Sequence, residues 1–287
     1  MSERVVIVGP GRMGLALGAA LVRSGAVEWL IYQGRGPEAP PHPLFDGGAQ
    51  YVLGPTTVPE DASMLLLAVP DDALPEVAHL MARAGRAPRG CSAFHLSGAL
   101  STDLLAPLHE AGYAVGSIHP LQTVADAWSG ADRMAGASFA IAGEPLAMTA
   151  ARRLVDAVGG RAIVVPPTLR PLYHAAAVFA SNYLVAVTGV VVEMFRQAGV
   201  RENDAVAAIL PLMRGTLENL EDLGLSASLT GPVARGDVDT VRLHLSRLSG
   251  TERALYCALG LVTLRLARAA GLDEERAADL ESLLSTG

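Results

Sequence analysis

The stretch that decides the fold is VVIVGPGRMGLALGAAL, residues 5–21. Its apolar run at 5–8 is a short buried strand that meets Gly9-Pro10-Gly11 at once. A small-residue helical pattern follows over 15–23 and stops at Gly25. Gly9, Gly11 and Gly14 fit G-x-G-x-x-G between a strand and a helix, the context in which that spacing binds a dinucleotide. Gly9 permits the tight turn, Gly11 lets a pyrophosphate approach the backbone, and Gly14 lets helix and strand pack closely. Gly18, one turn on, keeps that contact narrow. The helix N-terminus presents free N–H groups and partial positive charge to the phosphates. Arg12 and Met13, inside the loop, are further candidates for cofactor contact.

The second strand, at 28–32, selects the cofactor. An NAD site usually ends this strand with an acid that accepts from the ribose 2′-OH. Here the stretch is WLIYQGRG, residues 29–36, which holds no acid and offers Gln33 and Arg35 instead. A carboxylate would repel a 2′-phosphate, whereas arginine binds one with paired donors. NADP is therefore expected, with Gln33 and Arg35 at its phosphorylated end and Arg12 stacking on or pairing with that end. The plainer reading of Arg35 is a solvated loop arginine.

Further strands are expected at 64–69, 92–96, 114–118, 139–142 and 161–165, with helices over 73–84, 104–111 and about 145–158. Such alternation implies a Rossmann-type doubly wound parallel sheet covered on both faces. After Pro166-Pro167 the pattern becomes helical: about 169–198, 202–221, 238–248, 252–270 and 273–284. The expected division is an NADP-binding domain over 1–166 and an all-α substrate and dimerisation domain over 167–287.

Composition limits the function. The 287 residues are 51% hydrophobic and 18% charged, which suits a globular chain rather than a disordered one. A net charge of −7 with no basic run argues against nucleic acid. All 22 basic residues are arginine, so Schiff-base chemistry and a lysine general acid are excluded. Cys91 and Cys257 make no disulfide framework, and the N-terminal apolar run lacks the form of a secretory signal; a cytoplasmic location is expected. Residues 174–195 are long and apolar enough to span a membrane, but they carry His174, Ser181, Asn182 and Glu193. A central buried helix, with no membrane, is the expectation. The apolar stretches 184–195 and 254–271 exceed what one small helical domain would cover, which points to a homodimer.

The segments GPGRMG, LLLAVPDDAL, HLSGAL and SIHPLQT resemble the superfamily of pyrroline-5-carboxylate reductase, prephenate dehydrogenase, ketopantoate reductase and the β-hydroxyacid dehydrogenases. SIHPLQT, HAAAVFASNYLVA and LTGPVARGD together resemble a narrower family of Rossmann-like oxidoreductases with a C-terminal domain of unknown function. The resemblance implies an active site in the cleft between two domains and, like the apolar stretches, a homodimer. Carbonyl-reducing relatives often use a lysine on the first long helix of the second domain; this chain has none.

Three strand ends would line the nicotinamide path. Val69 and Pro70 end the 64–69 strand, Ser97 follows the 92–96 strand, and His119 follows the 114–118 strand. On a continuous helix over 169–198, His174 and Ser181 would lie about 20° apart around the axis, with Asn182 about 80° away. Polar groups on so apolar a helix need partners, either a substrate or another helix. His119 could merely cap a loop, and His95 reads as a satisfied buried histidine. Arg235, in TGPVARGDVDT, is the expected holder of a substrate carboxylate, unless it only pairs with Asp237, itself read as a helix N-cap. His119, His174, Asn182 and Ser97 are the catalytic candidates; Arg235 and Ser181 are the substrate-binding ones. The expected activity is NADP-dependent hydride transfer to or from a small carbonyl or imino acid, with a 2-oxoacid such as ketopantoate as the example the resemblance suggests. The rival is a non-catalytic NADP-binding redox sensor.

Overall fold

The protein is described over residues 2–285 by a computed structural model. Among these residues eight strands form one sheet: β1 (Glu3–Val8), β2 (Val27–Gly34), β3 (Gln50–Leu53), β4 (Met64–Leu67), β5 (Ser92–His95), β6 (Ala114–Pro120), β7 (Ser138–Gly143) and β8 (Arg161–Val164). Their order is β3-β2-β1-β4-β5-β6-β7-β8. Twelve helices accompany them: α1 (Arg12–Arg23), α2 (Leu74–Ala84), α3 (Ala106–Glu110), α4 (Ala127–Asp132), α5 (Pro145–Ala157), α6 (Arg170–Ala180), α7 (Asn182–Gln197), α8 (Glu202–Ala227), α9 (Pro232–Arg235), α10 (Val238–Leu245), α11 (Gly250–Ala269) and α12 (Glu274–Ser285).

Alternation along the central strands builds two cores. Val5, Ile7, Leu66 and Phe94 face α1 and α5, while Val6, Val8, Leu65, Leu67 and Ala93 face α2 and α3. Every residue of β4 is fully buried, as expected of a strand covered on both faces. Each such side chain contributes about 1.5–3 kcal/mol by leaving water.

The sheet departs from the all-parallel expectation at β7, which runs antiparallel to β6. The connection between them carries α4 onto α1, where Gly130 meets Ala16, instead of across the sheet as a crossover helix. Without that crossover the chain returns in the opposite direction.

The residues divide into two compact units after Tyr183. Pro166-Pro167 is where strands give way to helices, yet α6 clusters with the sheet. The second unit has its own core of Val233, Val241, Leu245, Cys257, Leu264, Ala277, Leu280 and Leu284.

The expected continuous helix over 169–198 breaks at Ser181, whose φ of −119° and ψ of −71° end α6. The angular arithmetic linking His174 to Ser181 and Asn182 therefore fails. Nor is this segment a central buried helix: α7 has no buried residue. Leu172, Phe179 and Val185 are about 70% exposed. The stretch Pro167–Gln197 is long and apolar enough to cross a membrane by composition.

Candidate active site

The glycine loop has the stereochemistry its sequence requires. Gly9 adopts φ +102°, and a Cβ there would come within 2.5 Å of the Ala68 carbonyl at the end of β4. A Cβ on Gly14 would lie 2.4 Å from the Gly9 carbonyl, so α1 rests directly on the loop. Gly11, the residue preceding α1, has open space on its Cβ side, with nothing within 4 Å. Gly18 leaves room for Tyr32, whose hydroxyl donates to the Gly14 carbonyl at 2.8 Å. A tight turn, an unobstructed Gly11 and a helix N-terminus together fit a pyrophosphate.

Around the loop, Val69 packs its Cγ1 against the Gly9 position, and Pro70 starts the turn leading to α2. Arg12 is exposed and reaches the Ala125 carbonyl at 3.5 Å. Met13 is half-buried and packs on the sheet core. Arg35 stands exposed just past β2 with no partner among the described residues. Gln33 is placed otherwise than a free ligand would be. It is buried, and its amide bonds the Thr56 backbone on both sides, at 3.2 and 3.0 Å. That fixes the loop after β3 and leaves Arg35 as the unengaged group at this strand end.

A polar cluster gathers beyond β5 and β6. The buried Ser97 hydroxyl donates to Asp71 at 2.8 Å and accepts from the Ala99 and Leu100 amides at 3.2 and 3.1 Å. Its oxygen is fully engaged, which makes Ser97 the anchor of this loop rather than a free catalytic hydroxyl. His95 is wholly buried, and its Nδ1 accepts from the Ser97 amide at 3.2 Å. Desolvation, with Arg170 and His119 nearby, lowers its pKa to about 3. It is a neutral histidine, but its Nε2 has no partner.

His119 and His174 are brought together, with ring centroids 5.8 Å apart and edge-to-face. Gly98 makes this possible: a Cβ there would lie 2.5 Å from His174 Cδ2 and 2.8 Å from His119 Nε2. Both rings belong to the first compact unit, so they do not approach from opposite domains as their sequence positions suggested. His119 Nδ1 lies 3.0 Å from the Tyr173 hydroxyl. Burial, then the Arg170 and His174 charges, lower the His119 pKa to about 4. An unperturbed histidine titrates at about 6.5, whereas this ring is neutral at physiological pH. His174 makes no hydrogen bond among the described residues. Ser181 is half-buried and Asn182 exposed, with no side-chain bond at either.

Two residues of this cluster were missed in the sequence. Arg170 is fully buried, and its Nη2 donates to the Ser97 carbonyl. Burial lowers its pKa, while Tyr173 and Asp71 push it back up. Tyr173 is raised by burial and drawn down by Arg170. The readable signal was RPLYH at 170–174, which puts Arg170, Tyr173 and His174 at i, i+3 and i+4 on one face of a helix.

In the second unit, Arg235 is 65% exposed and lies 4.0 Å from Asp237. Asp237 caps α10 as its sequence suggested, accepting from the Thr240 amide at 3.1 Å. A cavity of about 500 Å³ in the first unit, lined by Asp103, His109, Val115, Glu144 and Pro166 among others, includes neither the glycine loop nor the histidine pair.

Comparison with known proteins agrees with this architecture. Residues 2–120 match the Rossmann-like domain, and residues 137–263 match a domain of unknown function, DUF2520. Together the two matches span most of the chain, the Rossmann-like domain first and DUF2520 after it. No curated protein matches it. Among solved structures it is similar to a protein from Thermotoga maritima, at 21% identity and TM-score 0.71, covering 92% of this chain and 98% of that one. It is also similar to a candidate NADP oxidoreductase from Bacteroides fragilis, at 20% identity and TM-score 0.66, covering 96% and 98%. A third is the pyrroline carboxylate reductase of Plasmodium falciparum, solved with NADP bound, at 13% identity and TM-score 0.62, covering 96% and 98%. These likenesses establish a fold used by NADP-dependent reductases.

Proposed function

We propose that this Rossmann–DUF2520 protein is an NADP-dependent oxidoreductase that reduces the C=O or C=N bond of a small carbonyl or imino acid. The observation that carries the reading is the convergence of His119 and His174 over Gly98, with Tyr173 on His119 Nδ1, beyond the carboxyl ends of β5 and β6 on the sheet edge that also carries the glycine loop. A binding module needs the loop but no such group. Gly9, Gly11 and Gly14 with the α1 N-terminus would hold the pyrophosphate, and Arg35 the 2′-phosphate. Bound there, the cofactor supplies the hydride. The chain supplies donors for the heteroatom: His119 as a neutral hydrogen-bonding ring and His174 beside it. Arg235 is the candidate for a substrate carboxylate in the helical unit, where no lysine is available.

The homodimer belongs to the same proposal. The exposed apolar residues of α6, α7 and α8 need cover, and a second copy supplies a matching apolar face. Light scattering at micromolar concentration should give twice the chain mass; a monomer would count against it.

The function is tested by following NADPH consumption with a panel of small 2-oxoacids and cyclic imino acids. Oxidation by members of one class is expected. Tight NADPH binding with no member reduced would favour the redox-sensor reading.

A further inference from the structure

Resting on the reductase reading, a second question concerns Arg170. The residue is wholly buried and pairs with no carboxylate among the described residues; its Nε and Nη1 have no partner. A buried cation is costly unless an anion meets it. Arg170 shares one face of α6 with Tyr173, whose hydroxyl is 3.0 Å from His119 Nδ1. The other ring nitrogen, His119 Nε2, makes no hydrogen bond among the described residues and lies over Gly98 beside His174.

We propose that Tyr173, His119 and Arg170 form a proton relay in which Tyr173 is the proton source, His119 the carrier and Arg170 the counter-charge for the tyrosinate. At rest the Tyr173 O–H donates to His119 Nδ1, and His119 carries its own proton on Nε2. In turnover the substrate carbon gains a hydride, with its electron pair, from the reduced nicotinamide. The substrate oxygen or nitrogen takes the Nε2 proton as Nδ1 takes the Tyr173 proton. The imidazole is neutral before and after, so a ring whose own pKa is about 4 is no obstacle. The negative charge ends on the Tyr173 oxygen beside Arg170, and solvent later returns the proton. This gives the unpaired guanidinium its anion at the moment of reaction. Burial keeps the Tyr173 proton in place at rest, against the pull of Arg170. The other titratable groups facing the relay are His95 from β5, His174 from α6 and Asp71 from the turn after β4.

The test is the ring nitrogen NMR spectrum of the unliganded full chain, with His119 assigned by its loss in His119→Gln. A neutral ring with the proton on Nε2 and a hydrogen-bonded Nδ1 is expected, and Tyr173→Phe should remove the Nδ1 bond signature. A proton on Nδ1, which would then donate to Tyr173, overturns the relay. Arg170→Met should make the Tyr173 phenol about tenfold or more less acidic, and Arg170→Lys should restore most of the difference. An unchanged Tyr173 titration in folded Arg170→Met also overturns the proposal. If that variant fails to fold, the wild-type tautomer still decides. NADPH binding, measured separately, distinguishes the failures. A protein that does not bind NADPH contradicts the reductase reading, whereas one that binds it with the proton on Nδ1 contradicts the relay alone.

Discussion

Replacing His119 with alanine is expected to lower turnover of the reduced compound by about 10²–10⁴ while leaving NADPH affinity nearly unchanged. His119 stands at the end of β6, away from the glycine loop's own contacts, so cofactor binding does not depend on it. Its Nδ1 is held by Tyr173 at 3.0 Å and its Nε2 is unengaged, which suits a group that hands a proton outward. His174→Ala should fall in the same direction, since that ring borders the same space 5.8 Å away. Steady-state rates paired with calorimetric NADPH affinities check this. Normal rates in both variants would make the histidines structural.

The second large effect separates two glycines of one loop. Gly14→Ala puts a Cβ 2.4 Å from the Gly9 carbonyl, a backbone atom that cannot step aside without moving the loop. Overpacking of this kind typically costs about 1–3 kcal/mol, so both the melting temperature and NADPH affinity should fall. Gly11→Ala meets nothing within 4 Å, so the fold should melt normally. Its methyl would nevertheless occupy the approach to the pyrophosphate, and affinity should drop by about 100-fold, or ~2.7 kcal/mol. Thermal melts and calorimetry on the two variants make the comparison. Equal NADPH affinity in Gly11→Ala and wild type would remove the pyrophosphate from this loop.

These glycines were legible because their constraint is local: turn, close approach and helix start fall within one short segment. The buried strands β1 and β4 were legible for the same reason, as continuous apolar runs. β3 was not located, since Gln50–Leu53 is a half-buried edge strand of only four residues. The reversal of β7 depends on where α4 docks, which no local pattern encodes. The break at Ser181 was hidden because the apolar run continues across it. His119 and His174 could be named from strand-end and helix positions, but the lowered pKa of His119 could not, because it comes from burial and then from Arg170, which is remote from β6 in sequence. Ser97 and Gln33 were assigned outward roles from their positions; the bonds that occupy them come from Asp71 and Thr56, which are remote in sequence.

The glycine loop and β2 together select the cofactor. Calorimetric titration of the wild-type protein with NADPH and with NADH tests this in one measurement. Because β2 ends without an acid and Arg35 is exposed and unengaged beside it, NADPH should bind at least about tenfold more tightly, ~1.4 kcal/mol, and Arg35→Asp should reverse the order. Equal affinities, or a preference for NADH in the wild-type protein, would contradict the account.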